Sequence, residues 1–141
     1  MKEFQKAVIE IIKTGHWITD SITRELKEYG IYEPQFNVLL ILKAANGQPI
    51  SVNSILENMV QRSSNVTRIV DKLESKGLVD RQLCGNDRRK MDIVITNEGK
   101  RLLTKMEKKV TELHKPMFNN LNTKELKTLA HLINKLKGKR K

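Results

Sequence analysis

The sequence predicts a mainly helical domain carrying one small β-hairpin. Apolar residues recur at steps of three, four and seven through the first half of the chain and again from residue 97, which is helical spacing. Between them, over residues 79–96, the period drops to two, the spacing of half-buried strands. Charge adds a third observation. The balance of 27 Lys and Arg against 16 Asp and Glu, a net +11, predicts attraction to polyanions, either nucleic acid or an acidic membrane surface.

Residues 3–29 read as one long helix, with Phe4, Val8, Ile11, Ile12, Ile18, Ile22 and Leu26 on one face and Gly15 as a point of bending. Gly30 ends it. Glu33-Pro34 opens a second helix, because proline costs little in a first turn. Its run PQFNVLLILKAA is apolar almost all round, as a buried core helix is. Asn46-Gly47-Gln48-Pro49 is a turn. Ser51 caps a short third helix over 52–60, with Ile55, Leu56, Met59 and Val60 inward, and Gln61-Arg62 forms a tight link. Ser63 or Ser64 caps a fourth helix through Lys76, burying Val66, Ile69, Val70 and Leu73, and Gly77-Leu78 suits a Schellman ending.

Val79, Arg81 and Leu83 then alternate with Asp80, Gln82 and Cys84. Met91, Ile93 and Ile95 do the same beyond a six-residue loop, which makes a projecting hairpin. From residue 97 a helix carries Leu102, Leu103, Met106, Val110 and Leu113, and Pro116 kinks or ends it. Asn122-Thr123-Lys124-Glu125 is a capping box for a last helix bearing Leu126, Leu129, Ala130, Ile133 and Leu136. The terminal GKRK is expected to fray.

At 141 residues the chain fits one domain, 1–141. A lone cysteine, Cys84, excludes an internal disulfide and suits a reducing compartment; as a strand residue it reads as packing rather than as a redox sensor. No apolar run reaches the ~18 residues that span a membrane. The first residues lack the form of a signal peptide, so a cytoplasmic protein without a membrane partner is expected. His16, His114 and His131 lack metal-ligand spacing, and neither a metal nor a cofactor is expected. No nucleophile–base pair, phosphate loop or carboxylate cluster suggests an enzyme.

Two short helices, a tight turn and a charged hairpin form a winged helix-turn-helix pattern. A helix-turn-helix puts its second helix into the major groove, N-terminal end first. With the apolar residues of the fourth helix inward, Ser64, Asn65, Thr67, Arg68 and Lys72 face out. Arg suits guanine, Asn suits adenine, and a Thr methyl meets a thymine methyl. A solvated helix face gives the same pattern. The stretch "CGNDRRKMDIVIT" sets Arg88, Arg89 and Lys90 on the hairpin, where Asp87 can orient Arg89 and a narrow minor groove rewards arginine. Alone, that stretch also reads as a solvated charged turn. Two other functions use the same charge: a non-specific architectural protein for DNA or RNA, and a protein-interaction module whose basic wing meets an acidic partner.

The stretches "SSNVTRIVDKLESKGLVDR" (63–81) and "DRRKMDIVITNEGKRLL" (87–103) resemble the MarR-type transcriptional regulators, named for multiple antibiotic resistance. The order Ser–x–x–x–Thr–Arg, Asp–Lys–Leu–Glu, Lys–Gly–Leu–Val, Asp–Arg–Arg and Thr–x–x–Gly is specific in combination. "EPQFNVLLIL" (33–42) is similar to the family's second helix. The resemblance implies a homodimer on a pseudo-palindromic double-stranded operator, usually a repressor. It assigns major-groove reading to the helix starting at Ser63 and minor-groove insertion to Arg89. One departure is "VQRSS", where the family often has a small residue or glycine; Arg62 is counted with the DNA-facing set that runs through Ser63 and Ser64. The resemblance also implies release by a small aromatic or phenolic effector bound between dimer helices and DNA-binding lobe, for which His16, Trp17 and Tyr32 are the candidates.

Residues 1–32 and 97–141 are therefore expected to be dimerisation helices around a DNA-binding lobe of 33–96. Apolar stripes at both chain ends exceed what a small lobe can cover, and a two-fold dimer is the commonest way to bury them.

Overall fold

The computed structural model describes residues 1–84 and 87–138, residues 84 and 87–90 by their backbone alone. Among these residues six α-helices and a three-stranded antiparallel sheet follow in the order α1 (Lys2–Leu26), α2 (Glu33–Ala44), β1 (Ile50–Ser51), α3 (Val52–Asn58), α4 (Val66–Ser75), β2 (Val79–Cys84), β3 (Asp87–Ile95), α5 (Asn97–His114) and α6 (Thr123–Lys137).

α1 closes through a 3-10 turn, Lys27–Tyr29, capped by Gly30 at φ +67, a backbone that glycine adopts without a Cβ penalty. α2 is the central core helix. Phe36, Val38, Leu39 and Leu42 are buried on it, and Gln35, also buried, accepts from the Tyr32 amide at 3.0 Å. Ser51 caps α3, accepting from the Ser54 amide at 3.0 Å. That helix is shorter than expected and stops at Asn58. Met59 still faces the core, but Val60 is 73% exposed rather than inward, because its amide turns to Asn37 Oδ1 at 2.9 Å.

α4 is capped by Asn65, whose Oδ1 accepts from the Arg68 amide at 3.1 Å. Ser63 and Ser64 are not the cap. The turn closes one step later than expected, as Ser64 donates through both its amide and its hydroxyl to the Gln61 carbonyl. At the other end the Leu78 amide donates to Leu73 and the Gly77 amide to Glu74, the Schellman pattern, with Gly77 at φ +75.

The sheet order is β1-β3-β2. β1 was not foreseen; it consists of Ile50 and Ser51 paired with Ile93 and Asp92. β3 also starts earlier than expected, at Asp87, so Arg88–Lys90 belong to a strand rather than to a six-residue loop. The register Leu83↔Met91 gives way to Cys84↔Asp87, leaving residues 88–90 between consecutive partners as an irregularity.

α5 begins on a Thr96 cap, ends at His114 and passes into a 3-10 turn at Lys115–Met117, where Pro116 stands. α6 opens on the expected box: Asn122 accepts from the Glu125 amide at 2.8 Å, and Glu125 accepts from the Asn122 amide at 3.0 Å. No residue of α6 is buried, and Leu126, Leu129, Leu132 and Leu136 all lie open. The first half of α1 is similarly bare, with Phe4, Ile9, Ile11 and Ile12 exposed.

Candidate nucleic-acid interface

Three flanks of α4 have separate tasks. Val66, Val70 and Leu73 enter the core and hold the helix on α2. Asp71 and Glu74, one turn apart, both pair with Arg81 of β2. On the opposite flank Asn65, Arg68, Ile69 and Lys72 line a cleft of about 270 Å³ whose far wall is Tyr32, Pro34 and Gln35. Thr67, Arg68 and Lys72 are exposed, as are Arg62 and Ser63 in the preceding turn; Ser64 is half-buried. A helix with one packed face, one face tied to a hairpin and a free polar N-terminal end is presented as a groove-reading helix must be.

The Asn65 cap fixes how that residue is presented. Its Oδ1 accepts from the Arg68 amide, which leaves one Oδ1 lone pair and the Nδ2 donors for an outside partner.

Arg81 is the residue of this arrangement that sequence reading passes over. It alternates with Val79 and Leu83, so it sits on the apolar side of its strand, and its side chain is only 20% exposed. Its guanidinium forks between two carboxylates of α4, fixing the hairpin to the helix. The side chains of Asp87, Arg88, Arg89 and Lys90, the proposed minor-groove group, lie outside the described residues, as does that of Cys84.

The suggested effector residues do not share a cavity. Tyr32, 63% exposed, faces the α4 cleft. Trp17, 53% exposed, lines a small cavity with Ser21, Leu113, His114 and Met117 at the arm of the molecule. His16 is exposed on α1. Among the described residues no group of three or more His, Cys, Asp or Glu is placed to hold a metal, and no helix is long and apolar enough to cross a membrane.

The sequence profile of the MarR family matches residues 31–91, which span α2 to the start of the β3 core pairs. Solved structures similar to the chain extend the likeness to both ends. A variant of MarR from E. coli, solved with operator DNA, is 26% identical with a TM-score of 0.79, over 95% of each chain. A MarR-like transcription regulator from Bacillus cereus is 21% identical with a TM-score of 0.81, over 97% of each chain. The organohalide-sensing regulator RdhR, solved with 2,4-dichlorophenol bound, is 19% identical with a TM-score of 0.81, over 96% of this chain and 80% of that one.

Proposed function

For this chain, a MarR-type transcriptional regulator by family, we propose sequence-specific reading of double-stranded DNA as a homodimeric repressor. The observation that carries the reading is α4 itself. It is held by Arg81 on one flank and by the core beneath, with Thr67 and Arg68 exposed near its free end. In this reading α4 enters the major groove. Arg68 and the Asn65 amide meet base edges, and Lys72, Arg62, Ser63 and Ser64 meet the backbone or groove wall. Arg89 enters the minor groove, oriented by Asp87, with Arg88 and Lys90 on flanking phosphates.

Dimerisation is supported by the open apolar faces of α1 and α6, which find no cover among the described residues. A two-fold dimer presents two copies of α4 and so selects a pseudo-palindromic operator with half-sites about one helical turn, ~10 bp, apart.

Release by a small aromatic acid or phenol is supported by the cleft beside Tyr32. At about 270 Å³ it suits a single-ring molecule, with Pro34 and Ile69 as apolar walls and Arg68 and Lys72 to meet an anion. A ligand there sits among four of the residues assigned to DNA, Ser64, Asn65, Arg68 and Lys72.

Selection of bound duplexes from a random pool tests the reading. Enrichment of an inverted repeat is expected. Binding to all duplexes alike identifies a non-specific architectural protein, and no duplex binding at low salt identifies a protein-interaction module.

A further inference from the structure

The C-terminal end of α4 is tied to both arm helices. On one side the Lys76 ammonium donates to the carbonyl of Gly30, the residue that ends the α1 arm. On the other, the Thr96 hydroxyl, which caps α5, donates to the Gly77 carbonyl at 2.7 Å, and the Thr96 amide donates to the Leu78 carbonyl at 3.0 Å. The α5 side is therefore a double contact made by a short side chain and its own backbone. The α1 side is one contact at the tip of a four-carbon stem. Gly30 is not easily replaced beneath it, since its φ is +67, a backbone that side chains rarely adopt.

The free end of α4 is the end that meets DNA. α4 has ten residues, so it is about 15 Å long. A tilt of about 13° about its tied end moves the free end by about 3.4 Å, the axial rise of one base pair. In a two-fold dimer such a tilt occurs in both protomers and changes the distance between the two reading ends.

We propose that Lys76 is a positioning residue that sets the spacing of half-sites the dimer accepts, by fixing the end of α4 to the end of α1. This rests on the dimeric, DNA-reading function proposed above. Lys76 need touch no base: it is exposed, and it acts through the angle of α4.

The test uses the full-length protein, the inverted repeat selected by the parent, and derivatives of that duplex with one or two base pairs inserted or removed at the centre. The parent is expected to lose affinity at least tenfold for a one-base-pair change. Lys76→Met keeps the stem and removes the donor. It is expected to hold the altered duplexes within about threefold of the parent spacing, while Lys76→Arg, which keeps a donor, restores the discrimination. Arg68→Ala lowers affinity at every spacing equally and separates reading from positioning. If Lys76→Met follows the same spacing profile as the parent, at equal or uniformly lower affinity, the proposal is overturned. If the parent selects no duplex, the DNA reading fails, and the positioning role fails with it. Since Lys76 is exposed, both variants are expected to melt with the parent, and a circular dichroism scan checks this.

Discussion

Arg81 and Asp71 form an ion pair between β2 and α4, ten positions apart in the chain. Glu74 completes the fork from the next turn of the helix. Arg81→Lys keeps the charge but loses the fork. Both carboxylates are substantially exposed, so the stability loss should be small, about 1 kcal/mol or less. DNA affinity should fall further, at least twentyfold or about 1.8 kcal/mol, since in the proposed complex the hairpin then approaches its groove without a fixed angle. Denaturant titration and a binding isotherm on the same preparation check the difference; parallel losses in both would reduce the pair to ordinary stabilisation.

Gly99 stands where no side chain fits. A Cβ there would lie 2.2 Å from the Leu78 carbonyl oxygen and 2.8 Å from Ile95 Cγ1. The first neighbour is backbone at the joint between α4 and β2, so it yields only if that joint opens. Gly99→Ala should destabilise the protein by about 3 kcal/mol, read as a lower denaturation midpoint. A variant as stable as the parent would show that the joint is soft.

Asn65 caps the helix and is proposed to meet DNA, and two substitutions separate the roles. Asn65→Ala should cost about 1 kcal/mol of stability through the lost cap. Asn65→Asp keeps a capping oxygen and favours the helix N-terminus, so stability should stay within about 0.5 kcal/mol of the parent. It also removes the Nδ2 donors and brings negative charge to the DNA side, so affinity should drop tenfold or more. Retained DNA affinity in Asn65→Asp would confine Asn65 to capping.

The open face of α6 gives a test of assembly. Leu129 and Leu132 are exposed within the chain, so charging them disturbs no intrachain core. Leu129→Glu should turn a dimer into a monomer at micromolar concentration by sedimentation velocity, with helical content retained. A parent that sediments as a monomer would contradict dimerisation outright.

Much of this fold is written locally. The apolar run of α2, the glycine after α4 and the Asn122–Glu125 box each need only residues within a turn or two, and each is found where sequence reading puts it. β1 is different: Ile50 and Ser51 become a strand only because β3 sets Ile93, 43 residues later in sequence, opposite Ile50. The cap of α4 was ambiguous because Ser63, Ser64 and Asn65 all cap well; the closing turn on Gln61 decides among them. The Arg81 fork had a visible signal, a cation in an apolar slot of an alternating strand. The carboxylates that answer it had no distinguishing mark among the other charges of α4. Lys76 gave no sign, since its partner is a backbone carbonyl 46 residues away.

The central claim is that α4 reads base sequence and the hairpin arginine reads groove shape. Its most direct test is the dissociation constant of the parent, Arg68→Ala and Arg89→Ala on the selected duplex and on a scrambled duplex, at one fixed salt concentration. Arg68→Ala should weaken the selected duplex by ~1–3 kcal/mol and leave the scrambled one nearly unchanged. Arg89→Ala should weaken most those selected duplexes whose flanks are A·T-rich, where the minor groove is narrow and most negative. Equal losses on selected and scrambled DNA for Arg68→Ala, together with parent-like binding by Arg89→Ala on every flank, would contradict the claim and leave the basic face as a non-specific polyanion surface.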